Sequence, residues 1–387
     1  MQVGIDRIGF YTPNKYVDMT ELAQARGDDP NKYLIGIGQS QMSLADQTQD
    51  AVSMGINATL RYANQVDMKT VDLLIMGTES GVDQSKSASL FVKSALKLSP
   101  EVRTFEIKEA CFGMTAGMMI ACDYVRLHPQ RSAIVIGSDL ARYGLGTSGE
   151  VTQGAGSVSV LIKANPGILT IGADHSAYSS DINDFWRPND SPVALVDGKY
   201  STEVYLDFFK RTFADYQGQT QKQTSDFAAL IYHLPFTKMG YKANRLAVDQ
   251  QDTAIVQRLE QSFTASAVYS REVGNIYTAS LYLSLLSLLE NGQLKADNLV
   301  GLFSYGSGAM GEFYAGQVVA GYTDHLNPEK DLALLQRRQK VSVAEYEHLF
   351  NEALRQPEDN VELVSDEEEG YWYFAGCKDH VRQYKQK

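Results

Sequence analysis

Apolar residues recur along this chain in two periods, and segments of the two kinds alternate. Short, mostly apolar runs predict β-strands, whereas longer stretches with apolar positions three or four residues apart predict helices. The predicted strands span residues 3–10, 71–77, 102–107, 132–137, 157–162, 168–172, 227–232, 299–304 and 313–320. The predicted helices span residues 45–62, 85–98, 114–127, 202–216, 249–266, 280–289 and 343–354. This alternation predicts an α/β fold with mixed sheets covered by helices.

The order of the elements indicates an internal duplication. In the first half a strand leads to Glu79 and a helix start carries Cys111. In the second half a strand leads to His233 and a helix start carries Asn275. Because ligands bind beyond the carboxyl ends of strands in such folds, we expect these four side chains to converge on one pocket. Alternation of this kind is common in α/β proteins, so the four residues do not prove duplication by themselves.

The two predicted halves span residues 1–165 and 166–387. The second half contains an irregular stretch over residues 173–201, which is rich in aromatic residues, proline and aspartate and shows no clear period. Long irregular loops in compact domains are usually functional. Residues 355–387 form an extension, and its acidic stretch over residues 357–369 is most simply a solvated surface segment.

Composition and charge narrow the possible classes of protein. The chain has 387 residues and is 44% hydrophobic, which is enough for one large core or two fused halves. Its formal net charge is −12, so we expect no nucleic-acid partner, because phosphate backbones require clustered Lys and Arg. We find no leader pattern and no apolar run near the ~18 residues of a membrane span, so we expect no processing and no membrane contact. Three cysteines at these spacings form neither a disulfide framework nor a zinc pattern, which favours a reducing, cytoplasmic setting without a metal site.

Cys111 stands where a covalent nucleophile would be placed. A β-type run ends shortly before it, and small residues open a helix directly after it. Backbone N–H groups and the helix dipole at such a position are expected to lower the pKa of a thiol from about 8.5 toward neutrality. The thiolate could then accept an acyl group. A small buried hydrophobic role is the alternative for Cys111 and our expectation for Cys122, while Cys377 has no partner that the sequence identifies.

Glu79 and His233 are the candidate acid–base residues. Glu79 follows an apolar strand, where burial would raise the pKa of its carboxyl and make it a better base, although a turn or capping role is the alternative. His233 ends a strongly apolar strand, and Pro235 fixes the turn after it. A core histidine with satisfied hydrogen bonds remains the alternative for His233.

Lys238, Lys242 and Arg245 form a local cluster of cations in this acidic chain. They lie at a predicted helix start, where Lys238 and Lys242 share a face. Helix N-termini and lysines both favour anions, so this cluster could hold a nucleotide phosphate. A solvated helical face explains the same pattern equally well.

Several motifs together closely resemble the hydroxymethylglutaryl-CoA synthase family, in its bacterial mevalonate-pathway form. The resemblance extends from the first strand through residues 343–354 and implies a duplicated thiolase-like fold with a layered αβαβα arrangement, and a homodimer. Phe112 departs from relatives that carry tyrosine at this position. The motifs are Glu109-Ala110-Cys111-Phe112-Gly113, Gly77-Thr78-Glu79-Ser80, His233-Leu234-Pro235-Phe236-Thr237-Lys238, Gly274-Asn275-Ile276-Tyr277 and Phe303-Ser304-Tyr305-Gly306-Ser307-Gly308.

The resemblance also implies a reaction. Acetyl-CoA would acetylate Cys111, Glu79 would remove a proton from the acetyl methyl, and the carbanion would attack the ketone of acetoacetyl-CoA, which His233 would position. Water would then release 3-hydroxy-3-methylglutaryl-CoA, with coenzyme A thioesters as substrates and no further cofactor. By the same resemblance, the acyl pocket and the coenzyme A region would be formed by Tyr143, Asp184, Phe185, Asn275, Ser307, Lys238 and Lys242.

Two other functions remain open. A type III ketoacyl carrier-protein synthase would place its Cys, His and Asn at Cys111, His233 and Asn275. Glu79 argues against that enzyme, because a decarboxylating condensation forms its carbanion by losing CO₂ and needs no carboxylate base. The second alternative is a non-catalytic, acyl-CoA-binding protein of the same fold.

Overall fold

The computed structural model describes residues 1–353 and 358–387. The final residue of the helix predicted over residues 343–354 and the start of the predicted extension, residues 355–357, therefore lie outside the described residues. The described helix ends at Ala353.

Strands and helices alternate along most of the described chain, as the apolar pattern predicts. The strands are β1 (Val3–Tyr11), β2 (Lys15–Asp18), β3 (Gln41–Leu44), β4 (Val71–Gly77), β5 (Arg103–Ile107), β6 (Ser132–Ala141), β7 (Gly154–Ala164), β8 (Leu169–Ser179), β9 (Phe185–Trp186), β10 (Leu195–Val196), β11 (Phe227–Tyr232), β12 (Leu299–Gly306), β13 (Met310–Val318), β14 (Gln339–Lys340), β15 (Trp372–Lys378) and β16 (Val381–Gln386). The α-helices are α1 (Met19–Ala25), α2 (Ala51–Ala63), α3 (Ala88–Ala95), α4 (Gly113–Leu127), α5 (Gly198–Thr220), α6 (Thr237–Ala247), α7 (Thr253–Ser266), α8 (Val268–Val273), α9 (Ser280–Asn291), α10 (Pro328–Gln336) and α11 (Val343–Ala353). Short 3₁₀ and π turns lie between them, among them the π-helix Lys32–Ile37 and the 3₁₀ turns Glu150–Thr152 and Tyr277–Ala279.

A nine-stranded mixed sheet forms the frame of the molecule, in the order β11-β12-β13-β8-β1-β7-β6-β4-β5. From its centre, the strands β1, β7, β6 and β4 pair antiparallel, antiparallel and parallel in turn. The strands β8, β13, β12 and β11 repeat the same series on the other side, and β5 extends the first series by one parallel strand. The duplicated mixed fold is thus confirmed, while the halves at residues 1–165 and 166–387 keep their bounds as a prediction.

Helices α4 and α9 form the central layer between the two halves of the sheet. Every residue of α9 from Ser280 to Leu289 is buried, and α4 contributes Met114 and Met118 to the same apolar core. A hydrogen bond of 3.0 Å joins the hydroxyls of Thr115 on α4 and Tyr282 on α9. Helix α2 packs on the outer face of the first half and α5 on that of the second, which completes the layered αβαβα arrangement.

The predicted bounds are wrong mainly where a side chain caps a helix or where a strand continues into an irregular sequence. Helix α2 begins at Ala51 instead of residue 45, because Asp50 and Ser53 form a capping box. The stretch predicted as irregular over residues 173–201 is shorter in the structure. Strand β8 continues to Ser179 and α5 begins at Gly198, so only the residues between them, with the small β9–β10 ladder, are irregular.

The C-terminal segment is attached to the body of the molecule, which corrects the prediction of a solvated surface segment. Ser365 and Glu367 are buried, with 3% and 1% of their surfaces exposed, whereas Glu368 and Glu369 are exposed as predicted. Glu367 accepts hydrogen bonds of 2.6 Å from the Tyr11 hydroxyl and from Arg337. The hairpin β15–β16 then packs against α2. The sequence shows that this stretch is acidic, but it does not show which of its carboxylates pairs with Arg337.

None of the helices within the described residues combines the length and the apolar character that crossing a membrane requires.

Candidate active site

The nucleophile and base candidates lie at the ends of two neighbouring parallel strands. Strand β4 ends at Gly77, two residues before Glu79, and its parallel neighbour β5 ends at Ile107, four residues before Cys111. The start of α4 lies so close to β4 that a Cβ on Gly77 would stand 2.4 Å from the backbone nitrogen of Met114. This close approach brings the Cys111 thiol within hydrogen-bond reach of Glu79, where Sγ donates to Oε1 at 3.2 Å.

Burial changes the acid–base properties of both groups. Burial raises the pKa of Glu79 to about 8, and the negative charge of Asp139 adds to this rise, while the hydrogen bond from Cys111 opposes it. Burial and the charge of Glu79 also raise the pKa of the Cys111 thiol well above its usual value. The sequence-based expectation for the thiol is therefore wrong in sign. Burial of the thiol, together with the Glu79 carboxylate at 3.2 Å, outweighs the effect of the N-terminus of α4, which begins only at Gly113.

Asp139, at the end of β6, holds the segment that carries Glu79. Its Oδ1 accepts hydrogen bonds from the Glu79 backbone nitrogen at 2.7 Å and from the hydroxyls of Thr78 and Ser80 at 3.0 and 2.9 Å. Its Oδ2 accepts from the Thr278 hydroxyl at 2.6 Å and the Thr278 backbone nitrogen at 3.1 Å. Asp139 is fully buried, so these five donors fix Glu79 relative to the 3₁₀ turn of the second half.

Aromatic rings form one wall beside Cys111. Cys111, Phe185 and Tyr277 share an apolar cluster against which Tyr143 packs. The three rings meet edge to face, with centroids 5.6–6.0 Å apart. Asn275 donates a long hydrogen bond of 3.4 Å to the Tyr143 hydroxyl, and its own Oδ1 accepts from the Tyr277 backbone nitrogen at 2.9 Å. The structure thus places Asn275, Tyr143 and Phe185 at one pocket with Cys111.

Asp184 connects this wall to the second half of the sheet. It is fully buried, and its Oδ2 accepts hydrogen bonds from the hydroxyls of Tyr305 at 2.8 Å and Ser201 at 3.0 Å. Its Oδ1 accepts from the Gly308 backbone nitrogen at 2.9 Å. Half-buried Ser307 lies in the same turn between β12 and β13.

His233 lies at the carboxyl end of β11 and is 2% exposed. Its backbone nitrogen donates to Phe303 O at 2.8 Å, and its carbonyl accepts from the Tyr205 hydroxyl at 2.7 Å. Nδ1 is buried without a hydrogen-bond partner in the described part of the chain, and burial lowers the pKa of the imidazole to about 3. Among the hydrogen bonds of the described residues, none joins His233 to Cys111 or Glu79. The connection of His233 to the rest of the site is indirect: Tyr205, which donates to its carbonyl, packs with its ring centre 5.3 Å from that of Tyr305.

The two lysines lie on α6, which begins four residues after His233. Lys238 is half-buried, with Nζ 4.6 Å from the centre of the Tyr241 ring, and Lys242 is exposed. Cys122 is fully buried in α4, as expected, and Cys377 is half-buried on β15. The described residues contain no group of three or more His, Cys, Asp or Glu side chains arranged to hold a metal ion.

Sequence reasoning did not identify Asp139 and Arg187 as parts of the site. Arg187 is exposed, in the irregular segment after β9, and donates a hydrogen bond to the backbone carbonyl of Glu79. An aspartate in the otherwise apolar strand β6 is a visible signal, because a buried carboxylate needs several donors. No such signal exists for the contact between Arg187 and the Glu79 carbonyl, because it depends on the path of an irregular segment.

The layered αβαβα fold and the buried thiol beside a carboxylate define an acyl-transferring enzyme of the thiolase-like class. Residues 1–166 match the family model described as hydroxymethylglutaryl-coenzyme A synthase N terminal, and residues 249–387 match the corresponding C-terminal model. The chain therefore belongs to the hydroxymethylglutaryl-CoA synthase family.

Individual relatives agree with this assignment. The chain is 46% identical over 355 residues to the hydroxymethylglutaryl-CoA synthase of Enterococcus faecalis, covering 92% of this chain and 93% of the relative. A crystal structure of an HMG-CoA synthase complexed with CoA is 40% identical, with a TM-score of 0.94 and complete coverage of both chains. The structure of MvaS in complex with 3-hydroxy-3-methylglutaryl coenzyme A is 34% identical, with a TM-score of 0.90 over 100% of this chain and 99% of that one.

Proposed function

We propose that this enzyme condenses acetyl-CoA with acetoacetyl-CoA to give 3-hydroxy-3-methylglutaryl-CoA, through an acetyl group carried on Cys111. The observation that carries the proposal is the partly buried 3.2 Å contact between the Cys111 thiol and the Glu79 carboxylate. A thioester on Cys111 would hold the acetyl methyl beside that carboxylate. Family membership and the relatives solved with CoA and with 3-hydroxy-3-methylglutaryl-CoA support the choice of substrates.

The first step is acetyl transfer. The Cys111 sulfur attacks the thioester carbonyl of acetyl-CoA, the bond to the coenzyme A sulfur breaks, and the thiol proton leaves with the departing coenzyme A thiol. The raised pKa of Cys111 means that the resting enzyme holds a neutral thiol. Glu79 contributes to that rise and is not needed as an acceptor in the overall proton balance of this step.

Condensation is the step assigned to Glu79. A carboxylate whose pKa is raised to about 8 is a better base toward the acetyl methyl than an ordinary glutamate. The carbanion formed then attacks the ketone carbon of acetoacetyl-CoA, and the ketone oxygen, now an alkoxide, gains a proton to become the 3-hydroxyl, which balances the proton that Glu79 removed. His233 is neutral because its pKa is lowered, so it would offer a ring N–H to the ketone oxygen rather than a full positive charge. Water finally cleaves the Cys111 thioester and releases the product.

Further parts of the proposal concern binding and assembly. Tyr143, Phe185 and Asn275 would line the acyl pocket, with Asp184 and Ser307 at its far side. Lys238 and Lys242, on the helix that follows His233, would bind the phosphates of coenzyme A through charge. We infer a homodimer, a cytoplasmic setting and no cofactor beyond coenzyme A thioesters. The three free cysteines support a reducing compartment.

The pair of Cys111 and Glu79 separates this proposal from the two alternatives. A type III ketoacyl carrier-protein synthase has no use for a buried base beside its nucleophile, and a non-catalytic acyl-CoA-binding protein has no use for the nucleophile. The comparisons do not favour either alternative.

Labelling of the nucleophile tests the proposal. We expect labelled acetyl-CoA to modify the wild-type protein at Cys111 and the variant Cys111→Ala not at all, as read by mass spectrometry of the peptide. The matched control is Cys122→Ala, which removes a buried thiol from α4, the helix that begins two residues after Cys111. A wild-type enzyme that remains unlabelled, or a Cys111→Ala variant that is labelled as fast as wild type, would overturn the proposal.

A further inference from the structure

A buried glutamine connects the backbone of the pocket residue Tyr143 to the C-terminal helix α11. Gln153 is 3% exposed and lies between the 3₁₀ turn Glu150–Thr152 and β7. Its side-chain oxygen accepts hydrogen bonds from the backbone nitrogens of Tyr143 at 2.6 Å and Gly144 at 3.1 Å. These donors follow the end of β6, so a single side-chain oxygen holds the chain where it turns away from the sheet.

The orientation of the Gln153 amide is set from α11. Its nitrogen donates to the Tyr346 hydroxyl at 2.9 Å, and this hydroxyl donates in turn to Glu150 Oε1 at 3.1 Å. Tyr346 is fully buried. With the nitrogen committed to Tyr346, the oxygen must face Tyr143, because the two ends of an amide point in opposite directions.

Glu150 completes the network with a charged anchor. It is 1% exposed and accepts hydrogen bonds of 2.8 and 2.6 Å from Arg26, whose remaining nitrogen donates to Glu347 on α11 at 2.6 Å. Glu150 also accepts from the Gly146 backbone nitrogen at 2.9 Å. A buried network in which the members have partners specifies one arrangement, so it fixes both α11 and the loop after β6.

Packing alone does not hold Gln153 in place. A cavity of about 40 Å³, enough for about one water molecule, borders Gln153, Tyr346 and Arg142. Apolar side chains of α11, Leu349 and Phe350, line its other side. Because there is room beside the amide, its two hydrogen bonds to the backbone of Tyr143 and Gly144 are the interactions that hold it against this backbone.

We propose that Gln153 is a positioning residue for the acyl pocket, and that Tyr346 locks it in the working orientation, so that α11 controls how tightly the acceptor thioester binds. The proposal rests on the proposed function. Tyr143 is the point of action, because its hydroxyl accepts a hydrogen bond from Asn275, which comes from the second half of the chain. Neither Gln153 nor Tyr346 touches the Cys111–Glu79 pair through a hydrogen bond within the described residues, so the acetylation step should not depend on them.

The test separates acceptor binding from acetylation. The variant Gln153→Met keeps the length of the side chain and removes the oxygen that accepts hydrogen bonds from the Tyr143 and Gly144 backbone. We expect its KM for acetoacetyl-CoA to rise about tenfold, as loss of about two hydrogen bonds implies. We expect kcat to change less than about twofold and the rate of Cys111 labelling by acetyl-CoA to equal that of wild type. The variant Tyr346→Phe keeps the side-chain oxygen of Gln153 and removes only the hydroxyl that orients it. Its KM for acetoacetyl-CoA should therefore rise less, by about threefold.

Two matched controls remove similar groups far from the pocket. Gln49→Met removes a buried amide that accepts from the Tyr11 hydroxyl, and Tyr62→Phe removes a buried hydroxyl that bonds Ser159. Both should lower the midpoint of thermal unfolding and leave the KM for acetoacetyl-CoA unchanged. If Gln153→Met does not fold, Tyr346→Phe against Tyr62→Phe is the deciding comparison.

The proposal is overturned if the Gln153 and Tyr346 variants lose only stability, or if their labelling rate falls together with turnover. A wild-type enzyme without acetoacetyl-CoA turnover would instead reject the proposed function, so the two failures are distinguishable.

Discussion

At the scale of single residues, the site keeps a thiol and a carboxylate in contact at a partly buried position. The two groups act on each other in opposite directions: a negative charge on Glu79 raises the pKa of Cys111 because it disfavours a thiolate, whereas the hydrogen bond from the thiol lowers the pKa of Glu79. Acetylation removes this conflict, because a thioester carries no proton and no charge. The carboxylate then has one nearby acid left to attack, the methyl group of the acetyl.

Glu79→Gln should separate the two half-reactions. The variant loses the base, so we expect condensation to slow by about 10²–10⁴-fold, the usual contribution of a positioned base. Acetyl labelling of Cys111 should persist, because the substitution removes a charge that opposes the thiolate. Rapid-quench measurement of acetyl-enzyme and of product reads both steps. The control is Glu106→Gln, which removes a partly buried carboxyl on β5. Normal product formation by Glu79→Gln would contradict the assignment of the base.

The dependence of condensation on pH should report the pKa of Glu79. The base works only when deprotonated, and beside the free thiol its pKa is raised to about 8; acetylation removes the thiol hydrogen bond that lowers this pKa, so the rate should rise as pH increases through about 8 or above. Asp139→Asn removes a negative charge that contributes to the raised pKa. The acidic limb of the profile should therefore move to lower pH, by about one unit.

The profile is best measured from the decay of pre-formed acetyl-enzyme with saturating acetoacetyl-CoA. Asp72→Asn, at the opposite end of β4 from Glu79, serves as the control and should leave the limb in place. A limb that stays near pH 8 in Asp139→Asn, or moves upward, would mean that Asp139 does not act on Glu79 through its charge.

Residue types and spacing could predict that Glu79 and Cys111 lie close together, but not how this contact changes their pKa values. Strand ends and helix starts were enough to expect Glu79 beside Cys111, which the structure places 3.2 Å apart. The pKa of Cys111 could not be predicted, because it depends on how deeply the two groups are buried. Gln153 and Arg187 lie in irregular segments, where the reach of a side chain depends on tertiary packing that no local pattern encodes.

At the scale of elements, the period of apolar residues predicts the buried strands of the large sheet well and predicts the C-terminal hairpin poorly. The strands β4 and β11 have the bounds that the sequence predicts, because both are mostly apolar and buried runs, although β11 forms one edge of the sheet. The hairpin β15–β16 was not predicted. Strand β16 is mostly polar and exposed, and the hairpin is held by docking onto α2.

Glu367→Ala tests whether that docking stabilises the whole fold. The substitution leaves Arg337, 11% exposed, and the Tyr11 hydroxyl without their carboxylate partner. Removing one member of a buried ion pair costs about 3–5 kcal/mol, so denaturant unfolding should show a loss of that order. Glu369→Ala, two residues away and exposed, should change the free energy of unfolding by less than about 0.5 kcal/mol. Equal effects of the two substitutions would show that the segment is not anchored by Glu367.

At the scale of the whole molecule, the two halves share little direct sheet pairing. Strands β1 and β8 join them through the pairs Gly4–Thr170 and Ile5–Leu169. The central helices α4 and α9 supply the rest of the contact, with a buried core that extends into both halves. This junction matters for function, because Cys111 and Glu79 come from one half while His233 and Asn275 come from the other.

Gly4→Ala should disrupt this junction. A Cβ at Gly4 would lie 2.0 Å from the Leu169 carbonyl oxygen and 2.8 Å from the Thr170 Cα, and both are backbone atoms that cannot rotate away. Strands β1 and β8 would have to separate, so we expect a loss of at least about 3 kcal/mol in the free energy of unfolding, the upper range for overpacked sites. Gly218→Ala on α5, where nothing lies within 4 Å of the new Cβ, should instead stabilise by about 0.5–1 kcal/mol.

The same variant connects stability to catalysis. If the junction aligns the two parts of the pocket, Gly4→Ala should keep acetyl labelling of Cys111, which uses groups of the first half, and lose condensation, which needs both halves. Chemical unfolding and the two half-reactions should be measured on the same preparation, at a temperature where the variant is folded. Equal loss of both half-reactions in the folded variant would show that the pocket does not depend on this junction, and a variant as stable as wild type would show that β1 and β8 separate without cost.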